Sequence, residues 1–545
     1  MTRRLLALAA LALVPVAVLT VFFVLPVSGM VARGFWPDGV FDPGGVLDVL
    51  TRERVHRVLW FTLWSSAAGT TIAVLLGLPA AYVLHRLDLP GRKVVRAALL
   101  VPFVLPTVVV GVAFRELLGD TGPLGFLGLD QTGIAVVAGL VFFNVAVVIR
   151  AVGASWEALD PRPAQAAATL GATPWQVLTT VTLPALRPAI VSAASVVFLF
   201  CATAFGIVLT LGGVRNATVE TEIYLLTTSV FDLQAAAALS VLQLLVVVVL
   251  LGLAQRLRAV PDPGVARVVA RPRRPTRGDA PALAATALVL LFVAVPVTSL
   301  VAGSLRVGET WSLDHYRALA TTGEQQALLV PVTDALLTSL RTAVDATWMA
   351  LSMGLLVALV VTRRSRSRTE RRVRGALDGF FMLPLGVSAV TLGFGFLVTL
   401  DRGVLDLRDS PLLVPIAQAL VALPLVVRTI IPVLAGVDDR QRQAAASLGA
   451  SPFRTLVTVD LPVVWKPLLA ASGFAFAVSL GEFGATSFLA RDESPTLPVV
   501  IFRLLGHPGT GNYGMALAAS VVLAATTALV VLAVERLRVP SLGAF

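Results

Sequence analysis

Twelve stretches of this chain are apolar for about twenty residues or more, long enough for a helix to cross the hydrocarbon core of a bilayer. They lie near 5–32, 58–85, 94–118, 132–152, 184–211, 234–255, 281–304, 334–361, 375–400, 412–435, 462–490 and 513–534. In lipid the backbone of such runs has to satisfy its own polar groups, which selects helices. Apolar residues make up 57% of the chain and charged residues only 14%, at a mean hydropathy of +0.87. A soluble domain carries nearer a quarter charged residues. The pattern predicts an all-α polytopic membrane protein with about 12 transmembrane helices.

The first run follows Met1-Thr-Arg-Arg and far exceeds the roughly 7–15 apolar residues of a cleavable signal core, so it is expected to be a retained helix. Basic residues cluster in Arg86–Arg96, in 256–277 and in Arg363–Arg374. With twelve crossings, these segments and both termini fall on one side, which the positive-inside rule makes the cytoplasm. The net charge of +11 is then a topology signal, and it argues against nucleic acid as a partner. A single cysteine, Cys201, excludes an intrachain disulfide and a cysteine-cluster metal site. His56, His85, His315 and His507 have no ligand spacing, so no metal site is expected.

The stretch QAAATLGATPWQVLTTVTLP at 165–184 returns 278 residues later as QAAASLGASPFRTLVTVDLP at 443–462, identical at 13 of 20 positions. The same shift lays Arg150 on Arg428, Asp160 on Asp438, Arg162 on Arg440, and Phe205-Gly206 on Phe483-Gly484. A shift of 277 lays Leu63 and Gly77 on Leu340 and Gly354. The chain therefore reads as two six-span halves, 1–256 and 281–545. A Pro/Arg-rich cytoplasmic linker at 257–280 joins them and is expected to be flexible. Six crossings preserve orientation, so the repeat is parallel, with a pseudo-twofold axis along the membrane normal.

The repeated stretches fall in cytoplasmic loops near 157–183 and 436–461. Their alanine runs favour helix, and Gly171 or Gly449 can take the left-handed conformation that stops one. Thr173-Pro174 or Ser451-Pro452 then supplies an N-cap followed by proline. Short helices of small residues on a loop suit close approach by another protein.

This pattern resembles the EAA loop of bacterial ABC importer permeases, where Glu-Ala-Ala, three residues, Gly and a later Leu-Pro mark a helix that docks into an ATPase subunit. Gln165-Ala166-Ala167 with Gly171, and Gln443-Ala444-Ala445 with Gly449, take those places. Glutamine replaces the family's glutamate in both copies, so the resemblance implies that any charged contact falls to Arg162 and Arg440 or to Asp160 and Asp438. It also implies a type I importer fold, an extracytoplasmic substrate-binding protein and two ATPase copies. The motor is not in this chain. A P-loop needs Gly-Lys-Ser/Thr, and the only lysines, Lys93 and Lys466, follow Arg92 and Trp465. No catalytic residue and no cofactor is expected here, ATP being used by the partner.

Fused permeases with two EAA loops look like two groups, the thiamine and the ferric-iron importer permeases. Ala204-Phe205, Thr210-Leu211-Gly212-Gly213, Glu222-Ile223-Tyr224, Leu480-Gly481-Glu482-Phe483-Gly484-Ala485 and Thr496-Leu497-Pro498 resemble the thiamine group more closely, with ferric iron as the alternative substrate. An ion-driven secondary transporter, which can also be built from parallel repeats, is the alternative class. A membrane enzyme lacks any nucleophile or His/Cys/Asp cluster to support it.

Two acids stand out because charge inside a span is costly. Asp345 lies about 18 Å into the eighth span, opposite Ala68 in the repeat. It is a candidate for the translocation path, although Arg341, one turn earlier, is expected to neutralise it. Glu482, opposite Ala204, is expected at the external mouth.

Overall fold

The structure, a computed structural model, describes residues 2–257, 272–362, 367–400 and 407–537. Among the described residues ten helices are long and apolar enough to cross a bilayer. In the first half the elements are α1 (Ala10–Phe35), α2 (Glu53–Arg86), α3 (Arg92–Val104), α4 (Thr107–Leu118), α5 (Gly133–Glu157), α6 (Arg162–Thr169), α7 (Pro174–Ala202), α8 (Gly206–Leu211), α9 (Val219–Leu225) and α10 (Leu233–Gly252). The second half repeats the series. It runs α11 (Arg277–Ser304), α12 (Val332–Thr362), α13 (Arg368–Phe381), α14 (Ala389–Thr399), α15 (Leu413–Ala435), α16 (Asp439–Ser447), α17 (Phe453–Leu480), α18 (Thr486–Leu489), α19 (Leu497–Gly506) and α20 (Thr510–Val534).

The apolar runs at 94–118 and 375–400 are each broken, at repeat-related prolines. Pro106 has no N–H to donate, and it forces the preceding Leu105 into an extended conformation (φ −68°, ψ 135°). At the mate position Leu383-Pro384 follows the end of α13, and helix resumes at Ala389 under a cap in which Ser388 Oγ accepts from Thr391 N at 3.0 Å. The runs at 184–211 and 462–490 also stop early, at Ala202 and Leu480, and their remainders fold as the short α8 and α18. Gly206 and Gly484 explain the matched Phe-Gly pairs. A Cβ on Gly206 would lie 2.5 Å from Thr107 Oγ1, and one on Gly484 would lie 2.9 Å from Ala389 Cβ. Only glycine lets α8 and α18 approach the starts of α4 and α14 so closely.

The chain divides into two compact units that differ from the sequence halves: 1–48, 223–241 and 313–545 in one, 49–222 and 242–312 in the other. In the second of these, α2, α5 and α7 pack on one another, and α11 packs on α2 and α4. In the first, α12, α15 and α17 form the equivalent trio, and α1 packs on α12 and α14. The opening helix of each half thus belongs to the compact unit built around the other half. Small residues permit the closest crossings, as they do within membranes. A Cβ on Gly77 would lie 2.7 Å from Val148 Cγ1, and one on Gly354 would lie 2.5 Å from Val426 Cγ1. Val148 and Val426 are themselves repeat mates.

Arg258, Arg267 and Arg271, with residues 258–271 of the linker, lie outside the described residues, as do Arg363, Arg364 and Arg366. The end of the linker is pinned rather than flexible. Arg273 N donates to Arg86 O at 3.0 Å, and Asp88 N donates to Arg273 O at 2.8 Å. The Arg273 guanidinium forks onto both carboxylate oxygens of Asp279 at 2.7 and 2.9 Å, and the Tyr82 hydroxyl donates to the same carboxylate at 2.7 Å. A two-pronged arginine–carboxylate contact of this kind fixes direction as well as distance.

Candidate functional site

Each repeated loop is a short helix, a glycine reversal and a second helix start. In the first loop Asp160 Oδ1 accepts from Arg162 N at 2.9 Å and opens α6. Gly171 ends the helix at φ +90°, while Gly171 N and Ala172 N return to Ala168 O and Ala167 O at 3.0 and 3.1 Å. Thr173 then caps α7 in a reciprocal arrangement with Gln176. The second loop repeats this step by step. Asp438 Oδ1 accepts from Arg440 N at 2.9 Å, Gly449 sits at φ +80°, and Ser451 Oγ accepts from Arg454 N at 3.2 Å. A Cβ at Gly171 or Gly449 would meet nothing within 4 Å, so the backbone angle, not crowding, calls for glycine.

Asp160 and Asp438 are thus engaged with their own backbone. Arg162, Gln165 and Ala166 are exposed, as are Arg440, Gln443 and Ala444, while Ala167 and Ala445 are half-buried. Arg162 and Arg440 are exposed cations at matched places, and the second loop also exposes Arg454. Sequence reasoning missed the apolar part of this surface. Leu170 and Leu448 are each 89% exposed, and Trp175 and Phe453 are 70% and 74% exposed. Both pairs are repeat mates, and the signal was the retention of Leu and an aromatic at these places in loops that are otherwise small and polar.

The supports behind the loops are not equivalent. In the second, Arg442 donates from Nε to Asp460 Oδ1 at 2.7 Å, from Nη1 to Asp439 Oδ1 at 3.0 Å and from Nη2 to Leu434 O at 3.1 Å. Asp460 is fully buried at the start of α17. The mate positions in the first loop are Ala164, Thr182 and Pro161, which cannot build this brace. There Glu157, at the end of α5, takes the supporting role. Its Oε1 lies 2.6 Å from Arg96 Nη2, 2.8 Å from His85 Nδ1 and 3.4 Å from Arg92 Nη2, tying α5 to the end of α2 and to α3.

The two one-sided acids sit differently from expectation. Asp345 is half-buried and accepts from Trp348 Nε1 at 3.3 Å, and no contact with Arg341 forms among the described residues. Trp348 lies three residues on, and its indole reaches back along the helix to the carboxylate. Glu482 is buried, at 6% exposure. Its two carboxylate oxygens accept from Ala485 N and Thr486 N at 2.7 and 3.0 Å, because α17 ends at Leu480 and the turn into α18 needs an acceptor. Among the described residues no group of three or more His, Cys, Asp or Glu is placed to hold a metal ion.

A polytopic helical chain with two copies of a helix–glycine–helix loop, each presenting the same exposed surface, has the build of a transport subunit. Residues 69–259 and 350–538 match the family described as the binding-protein-dependent transport system inner membrane component. The chain belongs to that family. It is therefore an ABC importer permease, a transport subunit and not an enzyme, which sets aside the ion-driven and enzymatic alternatives. The permease is 28% identical over 486 residues to the thiamine transport system permease protein ThiP of Brucella abortus (strain 2308), covering 86% of this chain and 85% of the relative. Against ThiP of Salmonella typhimurium it is 27% identical, covering 85% and 86%, and against ThiP of Escherichia coli (strain K12) 26%, covering 83% of each. Among solved structures, a bacterial ABC transporter involved in import of the acidic polysaccharide alginate matches 48% of this chain and 98% of its own, at 19% identity and a TM-score of 0.41.

Proposed function

We propose that this permease is the membrane subunit of a thiamine importer, moving thiamine or a phosphorylated thiamine inward. One observation carries the reading. Relatives that bear the thiamine-transport name align with 83% to 86% of this chain, so the likeness runs through both halves rather than a single motif.

In this reading 1–256 and 281–545 are two permease halves, and both termini and both loops face the cytoplasm. One ATPase subunit docks beneath each loop. Leu170 with Trp175, and Leu448 with Phe453, fill apolar hollows in the ATPase, while Arg162 and Arg440 make the charged contacts, with a sign opposite to that of the family's glutamate. Gln165 and Gln443 contribute neutral hydrogen bonds, and Ala166, Ala167, Ala444 and Ala445 allow close approach. ATP-driven closure of the ATPase pair moves α6 and α16. The halves rock, and the path opens to a substrate-binding protein on the far side.

Uptake of labelled thiamine by cells with and without the gene, with ATP synthesis intact and then depleted, tests this. Deletion is expected to abolish ATP-dependent thiamine uptake. Loss of ferric-iron uptake alone would overturn the substrate and leave the family assignment in place.

A further inference from the structure

At the end of α17 far from its coupling loop, one cleft of about 260 Å³ is lined by Tyr224, Phe483, Ser487, Phe502, Arg503 and His507. Its aromatic rings form a connected cluster. The centroids of Tyr224 and Phe502 are 6.4 Å apart, and those of Phe483 and Phe502 are 5.5 Å apart. Tyr224 also meets Phe488 edge to face at 5.5 Å.

The first pair has a special relation. Tyr224 and Phe502 are repeat mates under the same 278-residue shift, and both belong to the same compact unit. A position can touch its own mate only near the axis that relates the repeats. In a parallel repeat that axis runs along the membrane normal, so a contact between mates is the place to look for a group that meets a solute moving along it. The arginine at the rim has its own counter-ion. Arg503 Nη2 is paired with Asp492 Oδ1 at 2.6 Å, and His507 Nδ1 donates to Arg503 O at 2.9 Å.

We propose that this aromatic cleft is a binding stop for the cationic aromatic ring of the substrate, with Tyr224 and Phe502 determining specificity. The inference rests on the thiamine reading, because thiamine carries a positively charged thiazolium ring. A cation held among aromatic rings away from water is attracted by their quadrupoles, whereas a neutral ring of the same shape gains only apolar contact. The cluster therefore favours the charged ring without a carboxylate, which would hold it too firmly for onward passage.

The test uses proteoliposomes holding the permease with its ATPase and binding protein. They are supplied with thiamine or with an analogue in which carbon replaces the quaternary thiazolium nitrogen, leaving the ring neutral. Y224L and F502L are expected to lower the thiamine-to-analogue uptake ratio by about tenfold, while Y224F and F502Y keep it. ATP hydrolysis stimulated by the binding protein reports that each variant still assembles. If the leucine variants do not assemble, F502W, with its larger π surface, is expected to raise the ratio. An unchanged ratio in the assembled leucine variants, or in F502W where they fail, overturns the proposal. Absence of thiamine uptake by the unmodified complex overturns the substrate reading itself, so the two failures are distinct.

Discussion

Arg442 and Asp460, 2.7 Å apart, fasten α16 to the first turns of α17, whereas the mate positions beside α6 are Ala164 and Thr182, which form no ion pair. The halves of this permease are alike in what they present to a partner and unlike in what stands behind it. Behind α16 stands a buried ion pair to α17. Beside α6, Glu157 at the end of α5 is tied instead to α2 and α3 through three basic neighbours.

Removing the arginine is therefore expected to be costly on one side only. R442A takes the Arg442 guanidinium away from the buried carboxylate of Asp460, at a cost of up to about 3–5 kcal/mol. Thermal unfolding of the purified permease is expected to shift down, and R442A/D460A to recover most of the loss. Recovery of stability without recovery of transport would mark the pair as a force-bearing contact. Full transport in R442A would show that the brace is dispensable.

Gly171 and Gly449 sit at φ +90° and +80° with open space around them. A β-branched residue there costs about 1–2 kcal/mol in the left-handed region and intrudes on the docking surface. G171V/G449V is expected to insert normally into the membrane yet lose ATPase association and uptake. The asparagine variants, better tolerated in that region, are expected to retain part of both. Wild-type uptake in the valine double variant would refute a docking role for these loops.

Leu170 and Leu448 are 89% exposed, so their replacement disturbs little packing within the chain. L170E and L448E are expected to leave thermal stability unchanged and to weaken ATPase binding by about tenfold or more each, the loss typical of an apolar anchor at an interface centre. Co-purification of the ATPase with each variant reads this directly. Unaltered association would place the docking surface elsewhere.

Asp345 accepts from an indole on its own helix rather than from Arg341, so its removal breaks one local contact. D345N, which keeps an acceptor for Trp348, is expected to hold thiamine uptake within about twofold of the unmodified protein, in line with the small net worth of a single hydrogen bond. Loss of uptake with unchanged folding would instead place Asp345 on the translocation path.

Much of this was legible from periodicity and repetition. The apolar runs marked the long helices, and the 278-residue shift located both repeated loops down to the glycine that ends each short helix. The breaks at Pro106 and Pro384 were harder to see, because a proline between apolar residues leaves hydropathy nearly unchanged while removing a backbone donor. Arg442 and Asp460 were visible only as unmatched charges in a matched segment. The aromatic cleft depends on Tyr224 and Phe502 meeting across 278 residues, a contact that repetition permits and only the fold creates.

Glu482 offers the sharpest separation of a structural role from a surface one. Its carboxylate is buried and accepts two backbone N–H groups at the turn into α18, while its mate in the first half is Ala204. E482Q keeps one strong acceptor and loses the other, and E482A leaves both N–H groups unsatisfied, at about 1–3 kcal/mol for each orphaned group. Thermal stability is expected to fall in the order glutamate, glutamine, alanine, with uptake declining in step. A residue that drew cations toward an external mouth would behave otherwise. Its neutralisation would slow uptake at low substrate concentration, lessen the salt dependence of that uptake, and leave the unfolding temperature where it was. Uptake lost at unchanged stability in E482Q would therefore overturn the capping role.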